Sequence, residues 1–143
     1  MQIRLASELD LDVLVTLFDD YRQSLGFDAE PQKCRHFVAT RLAENDSMIF
    51  VALEDDRPLG FVQLYPSYSS LLLKPVWYFD DVFVADEFRG KGIATALINK
   101  AKSLAQGTEV LFVKRTQVVN DELVPSLTNI TDTEGLYLYH CEP

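Results

Sequence analysis

Asp80-Asp81-Val82-Phe83-Val84-Ala85-Asp86-Glu87-Phe88-Arg89-Gly90-Lys91-Gly92-Ile93-Ala94 is the stretch on which the fold turns. Strand formers from Val76 to Val84 lead into a short polar turn. A basic, glycine-rich step follows, and then a helical pattern from Ile93 to Ala105. That order places free N–H groups of a helix N-terminus around Gly90 to Ala94, where two glycines remove side chains from the approach. Unpaired donors and the positive end of the helix dipole attract a phosphate there. Arg89 and Lys91 add mobile positive charge to a strongly acidic chain. The segment reads as a pyrophosphate seat.

Two common phosphate loops do not fit. Nothing in the chain has the four-residue spacing of a P-loop, and Gly90-Lys91-Gly92 is followed at the third position by Thr95 rather than glycine. What remains is Arg-x-x-Gly-x-Ala after an apolar strand, carried by Arg89, Gly92 and Ala94. This resembles the acetyl-CoA motif of the GNAT superfamily of N-acetyltransferases. Upstream, Gly60-Phe61-Val62-Gln63-Leu64-Tyr65-Pro66-Ser67-Tyr68-Ser69-Ser70 resembles the subgroup related to yeast histone and polyamine acetyltransferases. The resemblance covers roughly Ile3 to Val113, with two separated motifs in the family's order. It implies an α/β (α+β) fold: a single domain over residues 1–143, with a mixed central sheet flanked by helices.

Composition sets the outer bounds. A chain of 143 residues has the length of one domain and enough apolar content for a real core. No apolar run is long enough to span a membrane, and Met1-Gln2-Ile3-Arg4 lacks a signal-peptide pattern. Cys34 and Cys141 have no metal-type spacing, and free thiols in a reducing cytosol are their plain reading. With only His36 and His140, neither a zinc site nor a Ser-His-Asp triad has its parts. A formal charge of −9 argues against nucleic-acid binding through phosphates and is compatible with a cationic ligand, although solubility alone explains many acidic chains. A homodimer is compatible with a chain of this size.

A short strand is expected at Ile3 to Leu5. Ser7 then serves as N-cap, with Asp10 as a capping-box partner, before an apolar stripe with period near 3.6 that stops near Gly26. A second helix begins after Pro31 and ends around Glu44-Asn45. Met48 to Leu53 is a strand, Glu54 to Pro58 a hairpin turn, and Leu59 to Tyr65 the returning strand. Pro66 to Lys74 is expected to be a turn between antiparallel strands. After the phosphate turn, the helix should reach about Gln106, and Glu109 to Val113 should form the next strand.

The last thirty or so residues depart from the family pattern, which continues Asn-x-x-Ala-x-x-Leu-Tyr on a helix that brings a tyrosine toward the thioester. In one alignment Asn120 supplies the asparagine, Thr128 replaces the tyrosine, and Leu136 to Tyr139 forms the final strand. In the other, Asn129 supplies the asparagine and Leu136-Tyr137 the Leu-Tyr pair. The first is preferred, although Pro125 works against a helix there.

By resemblance, the N–H groups of Gly90, Lys91, Gly92, Ile93 and Ala94 hold the pyrophosphate of acetyl-CoA, assisted by Arg89 and Thr95. Val82, Phe83 and Val84 pair with the pantetheine arm, and Asn120 is a further cofactor residue. For the general base the candidates are Asp80, Asp81 and Tyr78, and neighbours on a strand face opposite ways, so at most one aspartate enters the cleft. Asp81 is the first choice, with loss of the amine proton to water as the alternative. Tyr65, Ser67 and Tyr68 are substrate-cleft candidates, with packing and turn polarity as the equal alternative. The general acid is Thr128, or a displaced Tyr137 or Tyr139. The implied activity is acetyl transfer to a primary amine of a small molecule or protein. The alternatives are an acetyl-CoA-binding module with weak or lost catalysis and an interaction domain without CoA.

Overall fold

The computed structural model describes residues 1–70, 73–104, 111–114, 117–119, 122–124, 130–131 and 137–139. Strand β1 (Gln2–Leu5) leads through one 3-10 turn (Glu8–Asp10) into α1 (Leu11–Ser24). Ser7 Oγ accepts from the Leu9 N–H, and the Asp10 carboxylate accepts from the Ser7 N–H, so the expected capping box is present. Arg4 grips the same carboxylate with two hydrogen bonds of 2.6 and 2.7 Å. One cluster thereby ties β1 to the start of α1. The helix ends at Leu25, followed by Gly26 at φ +96°. Helix α2 (Pro31–Glu44) starts on a proline, whose missing N–H costs nothing at that position, and closes on left-handed Asn45.

Strands β2 (Met48–Glu54), β3 (Arg57–Ser69) and β4 (Lys74–Val84) form an antiparallel meander. The run Ile49 to Leu53 is continuously apolar because helices cover both faces of the sheet. Ile49, Val51, Leu53, Phe61 and Phe83 pack on α1 and α2. Phe50, Ala52, Val62, Leu64, Phe79 and Val84 pack on the opposite side against α3 (Ile93–Leu104), through Ile93, Leu97 and Ala101.

Two boundaries differ from expectation. The first hairpin turn is only Asp55-Asp56, both at positive φ, and β3 begins already at Arg57. At the second, Pro66 to Ser69 continue β3 instead of turning. Among the described residues, β3 beyond Leu64 pairs with β4 alone, so a proline fits there without removing a ladder bond from a central strand.

Strand β5 (Leu111–Lys114) lies parallel to β4, and β9 (Tyr137–Tyr139) follows it, antiparallel to β8 (Ile130–Thr131). The sheet order is β1-β2-β3-β4-β5-β9-β8. Separately, β6 (Gln117–Val119) and β7 (Glu122–Val124) form a two-stranded ladder. The family's helix, expected near this place, is not seen among the described residues. Val118, Val119 and Val124 prefer extended backbone.

Candidate functional site

The decisive local feature is a bulge in β4. Gln63 pairs with Asp81, but Leu64 pairs with Phe79, which leaves Asp80 as the extra residue. Phe79 therefore packs toward α3, whereas Asp81 lies on the α1–α2 side with Phe83. Past the bulge, β4 continues to pair with β3, while its described pairing to β5 stops at Phe79. Among the described residues, no strand pairs with the second edge of β4 from Val82 to Val84. Gly60 keeps β3 close here, since a Cβ on it would lie 2.5 Å from the Phe83 carbonyl oxygen.

Beyond Val84 the chain makes a 3-10 turn at Asp86–Phe88 and reaches Gly90 and Gly92, both at φ +79°. A Cβ on either would meet nothing, so backbone conformation rather than crowding selects glycine. The Ala96 N–H donates to the Gly92 carbonyl at 3.0 Å, which opens the α3 ladder. The N–H groups of Ile93, Ala94 and Thr95 precede that ladder. Ile93 buries its side chain in the core and has only its backbone to offer, whereas Thr95 is exposed. The open strand edge and the exposed glycine turn together fit an extended pantetheine arm ending in a pyrophosphate.

The charged residues of the turn have partners of their own. Arg89 Nε donates to the Val84 carbonyl at 2.9 Å, its guanidinium pairs with Asp86 at 3.0 Å, and it lies over the Phe83 ring. Arg89 therefore shapes the turn from within. Lys91 lies over Phe88, with Nζ 5.8 Å from the ring centroid. Burial first, then Asp19 and Asp86, push the Asp20 carboxyl above its ordinary value on the α1 side of this turn.

A cleft of about 480 Å³ opens between α1, α2 and the β3–β4 pair. Asp81 lies in its wall, and Tyr21 Oη donates to Asp81 Oδ1 at 2.8 Å. Tyr21 is itself packed edge-on against Phe61 and tilted against Phe83. Phe18, Phe37 and Tyr65 add aromatic wall, and Phe18 is fixed by stacking on Phe61 at 4.3 Å. Cys34 also borders the cleft; burial and then Asp19 push its thiol up, away from thiolate reactivity. At the remaining side Glu30 pairs with Arg22 at 2.8 Å and with Lys33 at 3.0 Å.

Of the residues singled out in the sequence, the structure brings Asp81 and Tyr65 into the cleft wall. Val82, Phe83 and Val84 lie on the segment with the open edge. Ser67 follows Tyr65 on the same strand face but is not among the cleft-lining residues, and Tyr68 alternates to the other face, 82% exposed. Tyr137 opens β9, while Asn120 and Thr128 lie outside the described residues. The sequence did not reveal Tyr21, Gln63 or the Arg22–Glu30–Lys33 group as site residues. A signal existed for Gln63, an amide alone in the apolar run Leu59 to Leu64.

The chain belongs to the acetyltransferase (GNAT) family, whose model matches residues 13–125. It is 34% identical over 139 residues to a "Probable acetyltransferase" of Haemophilus influenzae, covering 96% of this chain and 91% of that protein. An uncharacterized N-acetyltransferase of Bacillus subtilis, YhfO, is 34% identical over 105 residues, with 73% of this chain and 70% of that protein covered. A crystal structure of a probable acetyltransferase superposes with a TM-score of 0.75 at 42% identity, over 85% of this chain and 82% of that one. Fold and family agree on an N-acetyltransferase with a mixed sheet flanked by helices.

Proposed function

We propose that residues 1–143 form one domain that binds acetyl-CoA along the open edge of β4 and acetylates a primary amine held in the aromatic cleft beside Asp81. The observation that carries this is the adjacency of the two sites on one strand. The β4 bulge sets Asp81 in the cleft, and three residues later the same strand runs out toward the glycine turn. Acetyl-CoA supplies an activated thioester, whose acetyl group passes to the amine nitrogen as the thiolate leaves.

In this assignment the backbone of Val82, Phe83 and Val84 aligns the pantetheine arm. The N–H groups from Gly90 to Ala94, with Lys91 and Thr95, hold the pyrophosphate, and Arg89 keeps the turn in shape. Asp81, oriented by Tyr21, takes the proton from the incoming ammonium so that nitrogen can attack. Backbone donors aimed at the acyl oxygen, together with positioning of the amine, lower the barrier further. Thr128 or Tyr137 is assigned to the leaving sulfur. The resemblance of the segment Gly60 to Ser70 supports kinship with the yeast histone and polyamine subgroup, and a cytoplasmic protein that works without nucleic acid or membrane fits its acidic composition.

The β6–β7 ladder favours slow catalysis as a second reading, because the element that usually delivers the acid has another form here. Calorimetry with acetyl-CoA and thiol release against an amine panel test both. Binding with release supports the transferase, binding without release supports the slow module, and absence of binding removes both.

A further inference from the structure

Gln63 is fully buried in β3, directly opposite Asp81. Its Nε2 donates to Ser47 Oγ at 3.1 Å, away from the cleft walls, and its Oε1 has no hydrogen-bond partner among the described residues. A buried carbonyl oxygen without a donor is costly enough to be rare, and here it belongs to a residue that lines the cleft. An amide oxygen and a carboxylate can only accept. Set side by side, Gln63 and Asp81 ask for a group with several N–H donors and a positive charge.

The rest of the cleft constrains what carries that group. Phe18, Tyr21, Phe37 and Tyr65 offer flat apolar surface and ring faces that attract a cation, in a volume suited to a small molecule. Glu30 is the other carboxylate of the wall, and it is shared by two cations, Arg22 and Lys33. The adjoining Asp19 carboxylate is likewise engaged, by the Glu30 N–H and by Gln23 Nε2, so among the described residues that side offers a second ammonium no carboxylate that is not already shared, although the chain as a whole is acidic.

We propose that the acceptor is a primary monoamine on an aromatic or branched apolar body, its ammonium held between the Asp81 carboxylate and the Gln63 amide oxygen, and that linear polyamines are disfavoured. This rests on the acetyltransferase assignment of the cleft and goes beyond it by naming the acceptor class and Gln63 as a specificity residue.

The test is calorimetry on the intact protein saturated with CoA, titrated with phenethylamine and with spermidine, while thiol release from acetyl-CoA is followed in parallel. Phenethylamine should bind about tenfold or more tightly than spermidine. Gln63→Met should weaken phenethylamine about tenfold and leave acetyl-CoA affinity unchanged. Thermal melting should show that this variant is folded, because an apolar replacement removes an orphaned acceptor. Lys33→Glu, at an exposed rim position, should narrow the gap by tightening spermidine more than phenethylamine. Equal or tighter binding of spermidine to the wild type overturns the proposal, as does unaltered phenethylamine binding in a folded Gln63→Met. Thiol release with spermidine preferred overturns this acceptor while acetyl transfer stands. The predicted binding order without release from any amine supports the acceptor site and counts against acetyl transfer.

Discussion

Tyr21, in the last turns of α1, donates its hydroxyl to Asp81 on β4 at 2.8 Å, across 60 residues of sequence. The bond joins the helical wall of the cleft to the strand whose far end meets the glycine turn. A donor on one carboxylate oxygen fixes the orientation of the carboxylate in the cleft wall. Tyr21 is held by Phe61 and Phe83, so the orientation is set by packing before any amine arrives.

Asp81→Asn should therefore lower kcat/KM for the best amine by ~10²–10⁴-fold, the usual worth of a positioned base. Tyr21→Phe should cost about tenfold, the loss of one hydrogen bond to a charged group, with acetyl-CoA affinity unchanged in both variants. Steady-state kinetics with thiol detection reads both. A full rate in Asp81→Asn would hand the proton to water.

Cofactor affinity should depend on Gly92 more than on Lys91. Gly92 sits at φ +79°, where a β-branched residue is strained by ~1–3 kcal/mol, and in the free protein its Cβ position is open space. Gly92→Val thus both bends the turn away from its present shape and fills the pyrophosphate approach. By calorimetry it should abolish acetyl-CoA binding, whereas Lys91→Ala, which removes an exposed charge, should weaken it only modestly. Equal losses would mean that the backbone seat lies elsewhere.

The element order from β1 to α3 was legible because each piece carries its own period or its own cap, as at Ser7–Asp10, Pro31 and Gly26. Two strand ends were not. Pro66 looked like punctuation, and it stays in the strand because β3 has no second neighbour there among the described residues. The candidate cofactor half could be proposed from sequence because Val82 to Thr95 are contiguous. The cleft could not, since Tyr21 reads as one more residue on an apolar helix stripe until the sheet brings Asp81 to it. Alternation allowed only one of Asp80 and Asp81 into the cleft, but the choice depends on a bulge that no residue type announces.

Acid should loosen the fold first at β1. Arg4 hydrogen bonds, and secondarily the Ser7 N–H, hold the Asp10 carboxyl below its ordinary value. A depressed folded pKa means that its stabilisation is complete above the unfolded value of about 3.9 and is lost as pH falls through the lower folded value. Asp10→Asn keeps an acceptor for the cap but loses the charge, and should lower stability at neutral pH by about 1–2 kcal/mol, discounted because Arg4 is partly exposed. Denaturant melts at neutral pH and near pH 3 check the sign: the gap between wild type and variant should shrink in acid.

The departure after β5 should show in turnover rather than in cofactor affinity. The backbone groups assigned to acetyl-CoA between Val82 and Ala94 all precede β5, whereas the acid for the leaving thiolate comes after it in the assignments made above. A threonine hydroxyl is a poor proton donor to sulfur, and acid–base assistance is commonly worth ~10²–10⁴-fold. Acetyl-CoA should therefore bind with ordinary affinity while acetyl transfer is slow for any acceptor. The alignment that makes Leu136 to Tyr139 the final strand puts Thr128 in the tyrosine's place. On that basis Thr128→Tyr should raise kcat and leave acetyl-CoA affinity nearly unchanged, and Tyr137→Phe should have little effect. If Tyr137→Phe instead removes most of the activity and Thr128→Tyr changes nothing, the acid is Tyr137 and the second alignment holds. Fast turnover that ignores Thr128, Tyr137 and Tyr139 alike would place the acid outside this segment.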